Sequence, residues 1–190
     1  MLKTIKEILR TGNATVQYPA APLHQYDGYR GKPEHDAVEC IGCAACANVC
    51  PPNAIQMQID VEAGTTTWSI NFGRCIFCGR CEEVCPTKAI KLSKEFELAV
   101  MDKNDLEETA TYSLAACERC GKYYATNKQV AYATAILQQS ADNPEVAKSL
   151  ELSHVCPACR RKDDAYRAKR NDELQGAKRK KKMEAKDDNR

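Results

Sequence analysis

The sequence predicts an α+β fold in four parts. Residues 1–36 form a helix and an extended docking arm, and residues 37–100 a small duplicated α+β domain. Residues 101–160 form a four-cysteine knuckle domain with a helical insert, and residues 161–190 a charged tail expected to be disordered. Three observations predict this. Twelve of the 190 residues are cysteine. Eight of the twelve fall in two runs of identical spacing. Ile, Leu, Val and Phe together make up under a fifth of the chain and aromatics only 6%, so an apolar core alone is too thin to organise it.

Charge and hydropathy narrow the function classes. The net charge is +2, but residues 160–190 carry 13 basic and 7 acidic side chains, which leaves a net of −4 on the first 159 residues. The body is mildly acidic and the tail basic. No stretch is long and apolar enough to predict a membrane span. The segment from Met1 to Arg10 lacks the apolar core and small-residue cleavage site of a secretory signal. A reducing cytoplasmic setting is therefore expected, where clustered cysteines hold metal more often than they form disulfides.

The elements follow in order. Leu2, Ile5, Ile8 and Leu9 share one helical face opposite Lys3, Lys6, Glu7 and Arg10, and Gly12 is placed to stop the helix. A helix of about ten residues is marginal alone, so its apolar face needs a membrane surface, another subunit or its own domain. Asn13 to Asp36 carries Pro19, Pro22 and Pro33 with Tyr18, Tyr26 and Tyr29. It shows no sustained period and reads as an extended arm, wrapped on a partner surface or mobile.

The duplicated runs come next: Cys40, Cys43, Cys46 and Cys50 followed by Pro51, then Cys75, Cys78, Cys81 and Cys85 followed by Pro86. The offset is 35 throughout, and Ile41, Val49, Ala54 and Ile55 recur at the same offset as Ile76, Val84, Ala89 and Ile90. Spacings of two, two and three residues closed by Cys-Pro place three thiolates on a tight loop and the fourth on the short helix after it, facing the other half. One 4Fe-4S cluster is thus expected on Cys40, Cys43, Cys46 and Cys85, and a second on Cys75, Cys78, Cys81 and Cys50. Exchanging the fourth ligand ties the halves together, so cluster assembly supplies folding free energy that the aliphatic core lacks. Gly42, Ala44, Ala45 and Gly79 allow backbone amides to approach the sulfurs. Zinc has no use for the third cysteine or the proline of each run.

Between the runs, Ala54–Ile59 and Thr66–Asn71 flank a Gly64-bearing loop and predict a β-hairpin, with Ala89–Leu92 the matching strand of the second half. This pattern resembles the bacterial two-cluster ferredoxin fold, with short helices after each cysteine loop.

Cys117 with Cys120 and Cys156 with Cys159 form two further pairs, with 35 residues between them. Thr126-Asn127-Lys128-Gln129 has the form of a capping box, followed by Val130, Ala133, Ile136 and Leu137 on one helical face. Asn143-Pro144 caps a second helix through Leu152. This helical insert can bring the pairs together as one tetrahedral site for zinc or a rubredoxin-like iron; the alternative leaves one pair a free dithiol. Four thiolates leave no open coordination position, so a zinc there is structural.

Other chemistries find no support. His24, His35 and His154 do not cluster, and His154 reads as a surface residue. Arg80 reads as a surface or interface charge. Neither a nucleophilic triad nor a glycine-rich phosphate loop stands out, so no catalytic residue is assigned. The run Lys178-Arg179-Lys180-Lys181-Lys182 lacks interleaved aromatics and has acidic flanks, which favours a solvated tail over a nucleic-acid contact.

Tyr18-Pro19, Tyr29-Arg30-Gly31, the second run from Cys75 to Pro86 and Phe96-Glu97-Leu98-Ala99 resemble the two-cluster ferredoxin-like subunits of respiratory complex I and its hydrogenase relatives. Arg30-Gly31-Lys32-Pro33, the first run from Cys40 to Cys46 and the later cysteine pairs look more like the formate hydrogenlyase iron-sulfur subunits. The resemblance covers residues 1 to 160. It implies a non-catalytic electron-transfer subunit on the cytoplasmic side of the inner membrane, peripheral to it. Electrons would pass from a formate dehydrogenase module, by another ferredoxin-like subunit, toward the small and large subunits of a NiFe-hydrogenase, beside membrane-arm subunits. A complex I-type quinone oxidoreductase or a free soluble ferredoxin is the alternative. A third is an iron-sulfur regulator that binds nucleic acid.

Overall fold

The computed structural model describes residues 2–12, 15–139 and 142–187. Asn13, where the expected arm begins, and the last three tail residues lie outside them. Helix α1, Leu2–Thr11, ends at Gly12, whose φ of 58° is the left-handed stop that glycine tolerates. None of its residues is buried, so Leu2, Ile5, Ile8 and Leu9 remain exposed and the self-docked alternative does not apply.

The arm docks at Tyr18 and again from Tyr29 onward. The Tyr18 hydroxyl donates to the Glu97 carboxylate, and Tyr18 and Tyr29 pack on Phe96 with ring centroids 5.9 and 6.2 Å apart. Strand β1, Pro33–His35, then pairs antiparallel with β4, Ile90–Leu92. The second-half strand thus finds its partner in the arm. The pairing continues outward as Gly31 N–H donates to the Ser93 carbonyl at 2.9 Å and Lys32 N–H to that of Glu95.

Strands β2, Ile55–Asp60, and β3, Thr65–Asn71, form the expected hairpin. Period-two burial along β3 turns Thr66, Trp68 and Ile70 inward. The four-cysteine segment is not separate from this sheet. Strand β5, Glu107–Ala116, pairs along the whole of β3, and β6, Tyr123–Thr126, pairs with β5, giving the order β2-β3-β5-β6. Alternation along β5 points Tyr112 into the core. The Lys32 ammonium, 2.7 Å from the Glu108 carboxylate, adds a tie between arm and sheet.

The main core joins Ile55, Trp68, Ile70, Phe72, Ile90 and Tyr112, with Cys40, Cys46, Cys50 and Cys85 packed against it. The thiolates therefore stand where a larger domain would place aliphatic side chains. Helices α2, Ala45–Asn48, and α3, Arg80–Val84, follow the two cysteine loops. Their N-caps, Ala44 and Gly79, are 35 residues apart and both left-handed.

Helix α4, Asn127–Gln138, starts at the capping box: Thr126 Oγ1 accepts from Gln129 N–H at 3.1 Å. Its inward residues are Val130, Thr134 and Leu137, whereas Ala133 and Ile136 of the expected face are exposed. Helix α5, Pro144–Glu151, is capped by Asn143 with Pro144 in its first turn. The segment expected to be a disordered tail is helical in the structure, as α6, Pro157–Asp187. Composition pointed to disorder because no apolar stripe exists, and residues 166–176 are exposed all round. The many Ala, Lys, Arg and Glu residues have high intrinsic helix propensity, which requires no apolar face.

Candidate metal centres

Each cysteine loop is built by the same backbone devices. Asp36 opens the first: its Oδ1 accepts from Val38 and Glu39 N–H, and its carbonyl from Cys40 N–H at 3.0 Å. The turn of the loop needs left-handed backbone at Gly42, φ 64°, and at its mate Phe77, φ 53°. Asn53 and Lys88, after the fourth cysteines, are a further left-handed pair. The duplication seen in the cysteine spacing is thus a duplication of conformation.

These devices aim N–H groups at sulfur. Gly42 N–H donates to Cys40 Sγ and Phe77 N–H to Cys75 Sγ, both at 3.4 Å. Ala54 N–H donates to Cys50 Sγ and Ala89 N–H to Cys85 Sγ, both at 3.2 Å. Such donors favour the thiolate over the thiol. Burial acts the other way, raising Cys46 and Cys75 above the ordinary thiol range and Cys81 to about 12. At Cys85 burial also pushes upward, but the amides of Ile90 and Ala89 and the Thr87 hydroxyl outweigh it, and the net shift is downward. Buried thiolates of this kind require cationic metal to balance them.

The structure brings the predicted residues together in a definite pattern. One cavity is lined by Cys40, Cys43, Cys46 and Cys85, together with Trp68 and His35. Cys75 lies beside Cys50 and Cys78, and Cys81 borders both Cys75 and Cys46. The two thiolate groups are therefore adjacent. The donor chemistry and the amide-to-sulfur bonds fit an iron-sulfur cluster at each.

The four later cysteines behave differently. Among the described residues, Cys117, Cys120, Cys156 and Cys159 are the one group of three or more His, Cys, Asp or Glu whose ligand atoms lie within 4.8 Å of one another. Cys120 Sγ and Cys156 Sγ are 3.7 Å apart. Thiolates bound to one tetrahedral ion at about 2.3 Å stand about 3.8 Å apart, so the group fits a single ion and no cluster. Cys156 N–H donates to Cys117 Sγ at 3.2 Å and, as the first cause, brings Cys117 down to about 6. Hydrogen bonds to Cys156 and Cys120 hold Cys159 up to about 12. A bound ion would stabilise all four as thiolates. Helices α5 and α6 bring Cys156 and Cys159 to the end of β5, where Cys117 lies, and Tyr124 O–H fastens the junction on the Ser153 carbonyl at 2.8 Å.

His154 and His24 are exposed, as is Arg80, which pairs with Glu83 at 3.3 Å. Sequence reasoning missed Trp68, His35, Tyr112 and Thr87. The His35 ring stacks on Trp68, with centroids 3.8 Å apart and planes 17° from parallel, and the Tyr112 hydroxyl lies 3.4 Å from His35 Nε2. Trp68 Nε1–H donates to Cys46 Sγ at 3.4 Å. The available signal was a single tryptophan at an inward strand position between the two cysteine runs.

Comparison with known proteins agrees with this geometry. Residues 39–89, which bracket all eight duplicated cysteines, match the 4Fe-4S dicluster domain family. Over 161 residues the chain is 44% identical to formate hydrogenlyase subunit 6 of Escherichia coli (strain K12), a match covering 85% of this chain and 89% of that protein. The chain belongs to the formate hydrogenlyase subunit 6 family. Like others of that family it is an iron-sulfur electron-transfer subunit. It is also 42% identical over 103 residues to NAD(P)H-quinone oxidoreductase subunit I of Prochlorococcus marinus (strain AS9601), spanning 52% of this chain and 50% of that one. Among solved structures it is similar to a chain of the membrane-bound sulfane sulfur reductase, an archaeal respiratory membrane complex. That similarity has 28% identity and a TM-score of 0.43, over 54% of this chain and 56% of the other. As a member of the subunit 6 family, the chain combines the dicluster segment with a four-cysteine group able to hold a metal ion.

Proposed function

We propose that this chain relays electrons within a formate hydrogenlyase, from a formate dehydrogenase module by way of another ferredoxin-like subunit toward the NiFe-hydrogenase subunits. The observation that carries this reading is the cavity shared by Cys40, Cys43 and Cys46 of the first run and Cys85 of the second. These four hold one 4Fe-4S cluster, and Cys75, Cys78, Cys81 and Cys50 hold the other. Such clusters supply one-electron redox chemistry when bound.

The chain's own residues do the rest. Exchange of Cys50 and Cys85 between the halves keeps the sites adjacent, which matters because electron tunnelling falls exponentially with distance. Amide donors and burial set the redox poise. Zinc at Cys117, Cys120, Cys156 and Cys159 pins the insert to the sheet. The hydrogenlyase partner set is favoured over a quinone oxidoreductase because the match to the former spans far more of the chain.

No helix among the described residues is long and apolar enough to cross a membrane. Attachment is peripheral, on the cytoplasmic side, with the exposed apolar face of α1 turned to the membrane arm. Anaerobic purification of the tagged chain in mild detergent tests the assembly: hydrogenase subunits co-purify if the reading is right, and a lone monomer contradicts it. A Cys50→Ser variant tests the ligands. It should perturb the paramagnetic resonance signal of the cluster on Cys75, Cys78 and Cys81, and a change confined to the Cys40 to Cys46 site contradicts the exchange.

A further inference from the structure

The two halves repeat their backbone donors to sulfur but not their side-chain donors. Gly42 and Phe77 are equivalent, as are Ala54 and Ala89, and each pair makes the same N–H···S bond at the same length. Two side-chain hydrogen bonds to sulfur break the symmetry, and the Tyr112 hydroxyl faces Cys40 of the same site as well. Trp68 Nε1 lies 3.4 Å from Cys46 Sγ, and Thr87 Oγ1 lies 3.7 Å from Cys85 Sγ. A thiolate sulfur carries no proton, so the Thr87 hydroxyl is the donor there. The residue 35 positions before Thr87 is Pro52, which has no hydroxyl. Cys81, the equivalent of Cys46, has no side-chain donor among the described residues.

We propose that Trp68 and Thr87 raise the reduction potential of the site formed by Cys40, Cys43, Cys46 and Cys85 above the value the duplicated backbone alone would give. The proposal rests on the exchanged-ligand reading, since Thr87 acts on Cys85. Reduction adds negative charge that is spread onto the ligand sulfurs, and a donor aimed at sulfur stabilises the reduced form more than the oxidised one. Water does not compete for the Trp68 bond, because that residue is 1% exposed. The indole is also held in orientation: the His35 ring covers its face, and the Tyr112 hydroxyl backs His35. His35 is therefore a positioning residue for the Trp68 donor.

Two arginines lie beside the other half. Arg30 reaches the Cys78 carbonyl at 3.2 Å, and Arg80 is paired with Glu83. Both are exposed, so solvent screens their charges.

The test is a potentiometric titration of the anaerobically purified full chain, followed by low-temperature paramagnetic resonance, for wild type, Trp68→Phe and Thr87→Val. Phe keeps the ring stack and removes the donor; Val keeps the shape of Thr and removes the hydroxyl. In each variant the same one of the two cluster signals should titrate at lower potential. Its reduced-to-oxidised ratio at fixed potential should fall several-fold, a tenfold fall being about 59 mV for one electron. The other signal should not move. If Trp68→Phe fails to load its cluster, Thr87→Val carries the test alone. Two normal clusters with unmoved potentials in the loaded variants would overturn the proposal and leave the function standing. Shifts in different clusters for the two variants would overturn the exchanged assignment as well, and a wild type without two cluster signals would remove the function itself.

Discussion

Phe77 holds the same left-handed backbone, 35 residues on, that Gly42 holds in the first cysteine loop, with φ of 53° against 64°. Both present their N–H to the sulfur two residues earlier. The geometry is what the loop requires, and glycine is needed only where the surroundings also forbid a side chain. A Cβ on Gly42 would lie 2.8 Å from the Thr126 methyl and 3.3 Å from the Tyr112 ring. Gly42→Ala should therefore cost about 1–3 kcal/mol, read as a lower anaerobic melting temperature. Phe77→Gly should change stability by less than about 1 kcal/mol, because relief of left-handed strain is offset by a more flexible unfolded chain.

Thr126 joins the knuckle segment to the first cysteine loop. Its hydroxyl donates to the Ile41 carbonyl while its oxygen caps α4 by accepting from Gln129 N–H. Thr126→Val keeps the shape and removes both bonds in a site that is 2% exposed. A loss of about 1–2 kcal/mol is expected, with faster hydrogen exchange confined to the first turn of α4 and the Ile41 loop. Unchanged exchange there contradicts the coupling.

Gly31 has no room for a methyl group. A Cβ there would stand 2.1 Å from the Glu95 carbonyl oxygen and 2.8 Å from that of Ser93, backbone atoms that cannot yield without breaking the pairing beyond β1 and β4. Gly31→Ala should release the arm, so that limited proteolysis cuts between residues 15 and 30 much faster than in wild type. Wild-type cleavage rates would show that the arm is not held by this junction.

The four-cysteine ion is separable from the clusters. Cys156→Ser removes one of four thiolates from a set already within 4.8 Å, and elemental analysis should then show about one metal ion fewer per chain with acid-labile sulfide unchanged. Loss of sulfide in this variant would mean that the insert and the clusters share ligands.

Much of this was legible in the sequence because cysteine spacing encodes geometry directly. The equal runs from Cys40 and Cys75 reported the duplicated loops, and Thr126 and Asn143 reported the starts of α4 and α5 through side chains that act locally. What was hidden depends on distant pairing. Pro33–His35 look like linker until Ile90–Leu92 supplies their partner. β5 has an inward row of Glu108, Ala110, Tyr112 and Leu114, with Tyr112 alone fully buried, so period-two hydrophobicity is faint. The roles of Trp68, His35 and Thr87 exist only once strands and loops converge on the cavity. Helix α6 was obscured for the opposite reason: its polar composition resembles a disordered tail, and intrinsic propensity is a weak signal.

The central claim is that eight thiolates of the duplicated runs hold two iron-sulfur clusters. Iron and acid-labile sulfide, measured on anaerobically purified protein, test it most directly. The account predicts about eight sulfides per chain and about eight irons, or nine irons where the four-cysteine site also holds iron. Material with intact chains and almost no sulfide would contradict it.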